Sequence, residues 1–223
     1  MSSPIKINLK SEIFPLALLL ISAIASIYFY QHSPEIIVTH WNFQGQADGF
    51  ASKGFGSFFF LGLIVFIYVL MIAVPYFDPK RDNYKDFEKP YQIFRYAFLL
   101  ILSAVYWATG LYNIGYNINI GVTVAFLIGI LMIIIGNYLG KLKKNWFVGI
   151  RTPWTLSSDN VWAKTHRMGG VLFIIFGLAI MIAPFLPQTL AMILFIGWAI
   201  ALIAGTFGYS YWLYREEKKS SNS

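Results

Sequence analysis

NWFVGIRTPWTLSSDNVWAKTHR, residues Asn145–Arg167, is a polar island between two long apolar runs. It holds three tryptophans (Trp146, Trp154 and Trp162), two arginines, a histidine, an aspartate and several hydroxyls in 23 residues. The run before it, about Ile118–Gly140, and the run after it, about Met168–Leu186, are each close to the roughly 20 apolar residues that cross a bilayer. The island is therefore a connector between membrane spans. A connector that only crossed water would not need three indoles, so the stretch is read as an ordered segment with its own task.

Four further runs meet the same length test: about Ile13–Tyr30, Ser57–Phe77, Ile93–Asn113 and Thr189–Tyr211. Of the 223 residues, 57% are hydrophobic and only 12% charged, against about a quarter charged in soluble domains. The chain lacks cysteine, which excludes disulfides, thiolate chemistry and Cys-ligated metals. The net charge of +7 is read as loop charge on one membrane face, with no direct nucleic-acid partner. Sixteen of the 17 basic residues fall beside the N-terminus, the connectors after the second and fourth spans, and the C-terminus; Lys53 is the exception. That asymmetry places both termini and the island in the cytoplasm.

The predicted fold is an all-α integral membrane protein of six transmembrane helices in three hairpins. An N-terminal two-helix unit, residues 10–90, carries an outer loop at 31–56. A four-helix unit, residues 91–212, carries the cytoplasmic segment 141–167. Residues 213–223 form a polar tail expected to be disordered. Ala23-Ile24-Ala25 has the form of a signal-peptidase site, but the apolar run continues through Tyr30, so the first span is expected to remain.

No ionisable residue lies mid-span. Glu12, Arg95 and Arg167 sit at span ends, where long side chains reach the interface. This argues against a proton-coupled or sodium-coupled pump. Tyr91 and Phe94, with Tyr28, Tyr76 and Trp212, are read as interfacial anchors. Gly136 and Gly140 form a small-xxx-small pair suited to close helix approach. Asn113, Asn117 and Asn119 are expected to bond between helices or form turns.

In the outer loop, Ile36-Ile37-Val38-Thr39 is β-branched and favours an extended strand. His40-Trp41-Asn42 then meets the turn formers Gly45 and Asp48-Gly49. His40 and Asp48, with His32 or Glu35, offer metal-ligand chemistry, but no compact zinc motif is present. The loop is read as a turn-fixed recognition surface, and no metal or cofactor is expected.

Within the island, Gly149 and Thr152-Pro153 oppose regular helix, so its first half is read as an ordered turn. Ser157 or Ser158 caps a new helix, with Asp159 in its first turn. Asp159, Trp162 and His166 share a face, yet Asp159 and His166 are seven residues apart, about 10 Å along the axis, and cannot pair. Arg151 is free to bridge to Asp159, a lipid phosphate or a partner carboxylate. With no paired nucleophile or base on either face, an enzyme is not expected.

The run GNYLGKLKKNWFVGIRTPWTLSSDNVWAKTHRMGG, Gly136–Gly170, resembles the signature of the SdpI family of bacterial membrane proteins. His40-Trp41-Asn42, Gly45, Asp48-Gly49 and Lys53 resemble the N-terminal domain usual in that family. The resemblance spans roughly residues 10–212. It implies a six-helix protein that protects against a secreted peptide toxin and holds a repressor at the membrane. By that likeness His40, Trp41, Asn42, Gly45 and Asp48 form a toxin-facing loop. Asn145, Gly149, Arg151, Thr152, Pro153, Trp154, Asp159, Trp162, His166 and Arg167 form a repressor-docking segment. The competing expectation from the residues alone is a transporter or lipid-handling protein without charge coupling, whose partners are membrane lipids.

Overall fold

The computed structural model describes residues 4–42 and 45–221; residues 43–44 of the outer loop and 222–223 of the tail lie outside the described residues. Among the described residues, six helices are long and apolar enough to cross a membrane. In chain order the elements are α1 (Leu9–His32), strands β1 (Ile36–Trp41) and β2 (Ala47–Ser52), α2 (Lys53–Phe77) and α3 (Glu88–Asn113). There follow α4 (Ile120–Leu139), the short α5 (Pro153–Ser157), α6 (Asp159–Ile182) and α7 (Gln188–Ser221). Each span except α3 and α7 begins at a side chain that accepts an orphan amide of the first turn: Asn8, Ser52, Asn119 and Ser158. The fold is a helical membrane bundle with one addition, the β-hairpin of the outer loop.

Helices α1, α2 and α3 pack on one another; α3 then meets α4, α4 meets α6, and α6 meets α7. The α4–α6 seam is the most extensive, because glycines face each other across it. A Cβ on Gly136 would lie 2.5 Å from the Gly170 carbonyl oxygen, and one on Gly170 2.6 Å from that of Gly136. Gly129 and Gly177 repeat the arrangement at 2.7 and 2.6 Å. The two contacts are seven residues apart on each antiparallel helix, about 10 Å or two turns. In a bilayer, where burial of apolar surface gives no net drive, such backbone approach is what holds helices together. The expected partner of Gly136 was Gly140. The structure instead uses Gly129, while Gly140 faces Arg167, with 3.2 Å between its notional Cβ and Arg167 Cγ.

Two sequence expectations fail near one end of the bundle. Glu12 and Arg95 do not reach for the interface; they turn inward and pair. Arg95 Nη2 donates to Glu12 Oε2 at 2.7 Å and Nη1 to Oε1 at 3.2 Å, with Arg95 fully buried. Tyr68 OH and Ser11 Oγ complete the carboxylate's partners, each at 3.0 Å. Two buried charges persist because each satisfies the other in bidentate geometry. Tyr91 and Phe94 are likewise not interfacial anchors. They are buried in a cluster with Ile5, Tyr84, Phe87, Leu139, Leu142 and Trp162.

This same end gathers every basic connector. Lys6 N donates to Glu88, Asn83 Nδ2 donates to the Lys144 carbonyl, and Ser158 Oγ donates to Glu217. The N-terminal segment, the connectors 78–87 and 140–158, and the C-terminal end of α7 therefore share one face. The tail departs from the expected disorder: α7 stays helical through Ser221, supported by the Lys219–Glu216 ion pair and the bond from Ser158.

Candidate functional site

The hairpin stands at the opposite end from the basic connectors. Val38 pairs with Phe50, His40 with Gly49 and Trp41 with Ala47, with the register broken around Thr39. Gly45, at φ +73°, makes the turn, and its N–H donates to the Asn42 carbonyl at 2.9 Å. Asn42 Oδ1 accepts the Gln46 amide at 3.0 Å. His40 Nδ1 donates to Asp48 Oδ1 at 2.5 Å across the strands, in the open. The expected His40–Asp48 proximity is real, but it closes on itself. Among the described residues no group of three or more His, Cys, Asp or Glu is placed to hold a metal ion.

One residue of α3 ties the hairpin to the bundle. Asn113 accepts the Val38 N–H at 2.8 Å and donates to the Val38 carbonyl at 2.9 Å, so its amide acts as a third strand. Trp41 meets Tyr112 edge-on at 5.3 Å. Beneath the hairpin lies a cavity of about 590 Å³. His40, Trp41, Asn42 and Gly45, four of the five outer-loop residues singled out by sequence, line it; Asp48 does not.

At the basic end, the island folds into a platform built around two buried side chains. Asn145 Oδ1 accepts the amides of Phe147 and Val148, while Nδ2 donates to the carbonyls of Lys143 and Val148. His166 Nδ1 donates to the Trp162 carbonyl at 2.8 Å, and Nε2 accepts the Ile150 N–H at 2.9 Å. Both ring nitrogens are thereby assigned, and the imidazole is neutral. Trp162 stacks on it with centroids 4.0 Å apart and donates through Nε1 to the Leu142 carbonyl. Gly149, at φ +114°, passes so close that a Cβ would overlap His166 Nε2. That approach is why glycine stands there.

Asp78 locks the platform to the connector after α2. It is buried and accepts the Trp146 amide at 2.9 Å, the Tyr84 hydroxyl at 3.1 Å and the Lys80 amide at 2.7 Å. Thr152 and Thr155 form a capping box, with Pro153 in the first turn of α5. The Thr152-Pro153 step thus starts a short helix where a turn was expected, since proline is well suited to a first helical turn. Thr152 Oγ1 also donates to Ser210 of α7 at 3.1 Å.

The expected shared face of Asp159, Trp162 and His166 divides by burial. Trp162 and His166 are buried, while Asp159 is exposed and pairs with Lys144 at 2.7 Å. Arg151 does not bridge to Asp159; its Nη1 donates to the Trp146 carbonyl at 2.7 Å. Trp162 is a core residue and no anchor. Trp154 is half-buried against Tyr211, and Trp146 is half exposed. Arg167 and Pro153 are exposed. Sequence reasoning missed Asp78, Asn113, Glu12 and Arg95 as organising residues. An acidic residue just past a span, among basic ones, was the available signal for Asp78.

Comparison with known proteins bears on the same two regions. A family model described as SdpI/YfhL protein family matches residues 141–210, which contain most of the platform. A second, described as Domain of unknown function (DUF1648), matches residues 17–66, which contain the hairpin. The chain is 26% identical over 212 residues to the protein named Immunity protein SdpI from Bacillus subtilis (strain 168), covering 93% of this chain and 98% of that protein. No solved structure matches it. With both matched regions in order and the likeness running nearly end to end, the chain is similar to the SdpI/YfhL protein family over the platform and the last two spans, and to SdpI along most of its length.

Proposed function

We propose that this chain is a membrane immunity protein that protects its cell from a secreted peptide toxin. In this reading the hairpin faces the outside and both termini and the platform face the cytoplasm. The observation that carries the reading is the near full-length likeness to a protein named for immunity. The concentration of basic residues at the platform end supports the orientation. The toxin-facing surface centres on His40, Trp41, Asn42, Gly45 and Asp48. The platform serves as a docking surface for a soluble repressor through its exposed members Trp146, Arg151, Pro153, Asp159 and Arg167. The buried members Asn145, Thr152, Trp162 and His166 shape that surface from beneath, and exposed Gly149 lets the backbone pass over the His166 ring.

The test is toxin challenge of sensitive cells that express the chain or its hairpin variants. Wild type is expected to restore survival, and His40→Ala/Asp48→Ala to lose protection while still reaching the membrane. Equal survival with and without the chain, across secreted peptide toxins, overturns the reading. Sidedness has a direct check, because the chain has no cysteine. An impermeant maleimide added outside intact cells should label Asp48→Cys and leave Lys164→Cys unlabelled; the reverse pattern contradicts the orientation.

A further inference from the structure

We propose that the cavity under the hairpin is a binding site for one acyl chain of a membrane phospholipid. The inference does not rest on the immunity reading. The cavity wall draws on β1, α2, α3, α4 and the adjoining ends of α6 and α7. Most of it is hydrocarbon and aromatic surface, including Phe60, Leu63, Leu102, Val124, Ile128 and Phe195.

Three polar side chains deep in that wall are committed to the protein. Asn113 spends its amide on Val38 and the Thr109 carbonyl. Tyr106 OH donates to the Ser57 carbonyl at 2.9 Å and also bonds Ser26 at 2.7 Å. Thr109 Oγ1 donates to the Tyr106 carbonyl. The wall is mostly apolar, so a peptide inserted in extended form would leave most of its amides without partners, a penalty of several kcal/mol for each such group in a membrane setting. A helix satisfies its own amides but is too large. At a diameter of about 10 Å and a rise of 1.5 Å it fills roughly 120 Å³ per residue, so 590 Å³ takes only about five residues. An acyl chain has no polar groups. At roughly 30 Å³ per water-sized group, the same space takes about twenty carbons, one full chain.

Access is also from the bilayer. Both α2 and α7 line the cavity, yet the packing order runs α2, α3, α4, α6, α7 with no seam between α2 and α7 among the described residues. In the proposal the acyl chain enters between these two helices, from the leaflet on the hairpin side.

The experiment uses the full chain in nanodiscs containing phosphatidylcholine with a diazirine in its acyl chain. On wild type, photolabels should map to Leu102, Val124 and Ile128 inside the cavity. Ala125→Phe fills part of the space with a ring and should lower those labels by at least about threefold through steric exclusion, because a packed wall tolerates added volume poorly. Labels on the outward face at Ile196 should not change. Labels confined to outward faces on wild type overturn the proposal without reference to any variant. So does an undiminished cavity signal in a folded Ala125→Phe protein. An apolar peptide that labels the cavity and is not displaced by phospholipid likewise overturns it, assigning the cavity to a peptide.

Discussion

Gly149→Ala is the sharpest perturbation of the platform, because two separate costs fall on one methyl group. The first is conformational: φ +114° is a region that alanine rarely adopts, with a strain of about 1–3 kcal/mol. The second is steric. The added Cβ would overlap His166 Nε2 and touch the Trp162 ring, where ordinary contact begins at 3.4 Å. Relief requires a shift of about an ångström in a packed interior, a further ~1–3 kcal/mol. The shift also strains the Ile150 N–H bond to His166. The expected total is about 2–6 kcal/mol. Thermal unfolding of the purified full-length chain in lipid nanodiscs reads it, with trypsin cleavage after Arg151 as a local probe. Gly45→Ala is the control: its φ of +73° brings strain, but nothing lies within 4 Å of its notional Cβ. A cycle with His166→Ala separates the costs. Removing the ring relieves the overlap and leaves the strain, so the double variant should be more stable than additivity predicts by about 1–3 kcal/mol. Additive losses, or a Gly149→Ala protein as stable as wild type, would refute the claim that the platform is built on this contact.

Three further outcomes follow from the geometry. Gly136→Ala or Gly170→Ala should each destabilise the α4–α6 seam by about 1–3 kcal/mol, and Gly140→Ala by less, as read by unfolding in nanodiscs. Arg95→Met should cost about 3–5 kcal/mol by stranding Glu12, whereas Glu12→Leu/Arg95→Met should recover most of that loss. Asn113→Ala should speed hydrogen exchange at the Val38 amide by one to two orders of magnitude, for about 1–3 kcal/mol of lost protection, with little change at the Ile150 amide.

Much of the fold was legible because a bilayer imposes a simple rule on composition. Six apolar runs became six spans, and the β-branched Ile36–Thr39 became a strand. Ser158 caps α6, as its hydroxyl before Asp159 suggested. What remained hidden depended on distance in sequence. Glu12 and Arg95 are 83 residues apart, and each alone at a span end looks like a snorkelling charge. Asp78 gains its meaning from Trp146, 68 residues away. Trp162 shows the same limit: an indole among lysines reads as an anchor until Leu142 and His166 enclose it. The separation of Asp159 from His166 was readable because it follows from helix geometry alone. The cavity was invisible for the opposite reason, since its wall is assembled from distant elements and carries no motif.

The central claim is protection, and survival measures it most directly. A sensitive strain producing this chain, challenged with a panel of secreted peptide toxins, should survive at least one of them at a level far above the same strain with an empty vector. The protection should vanish with His40→Ala/Asp48→Ala at equal membrane abundance. Identical killing curves for producing and empty-vector cells, with the chain verified in the membrane, would contradict the account.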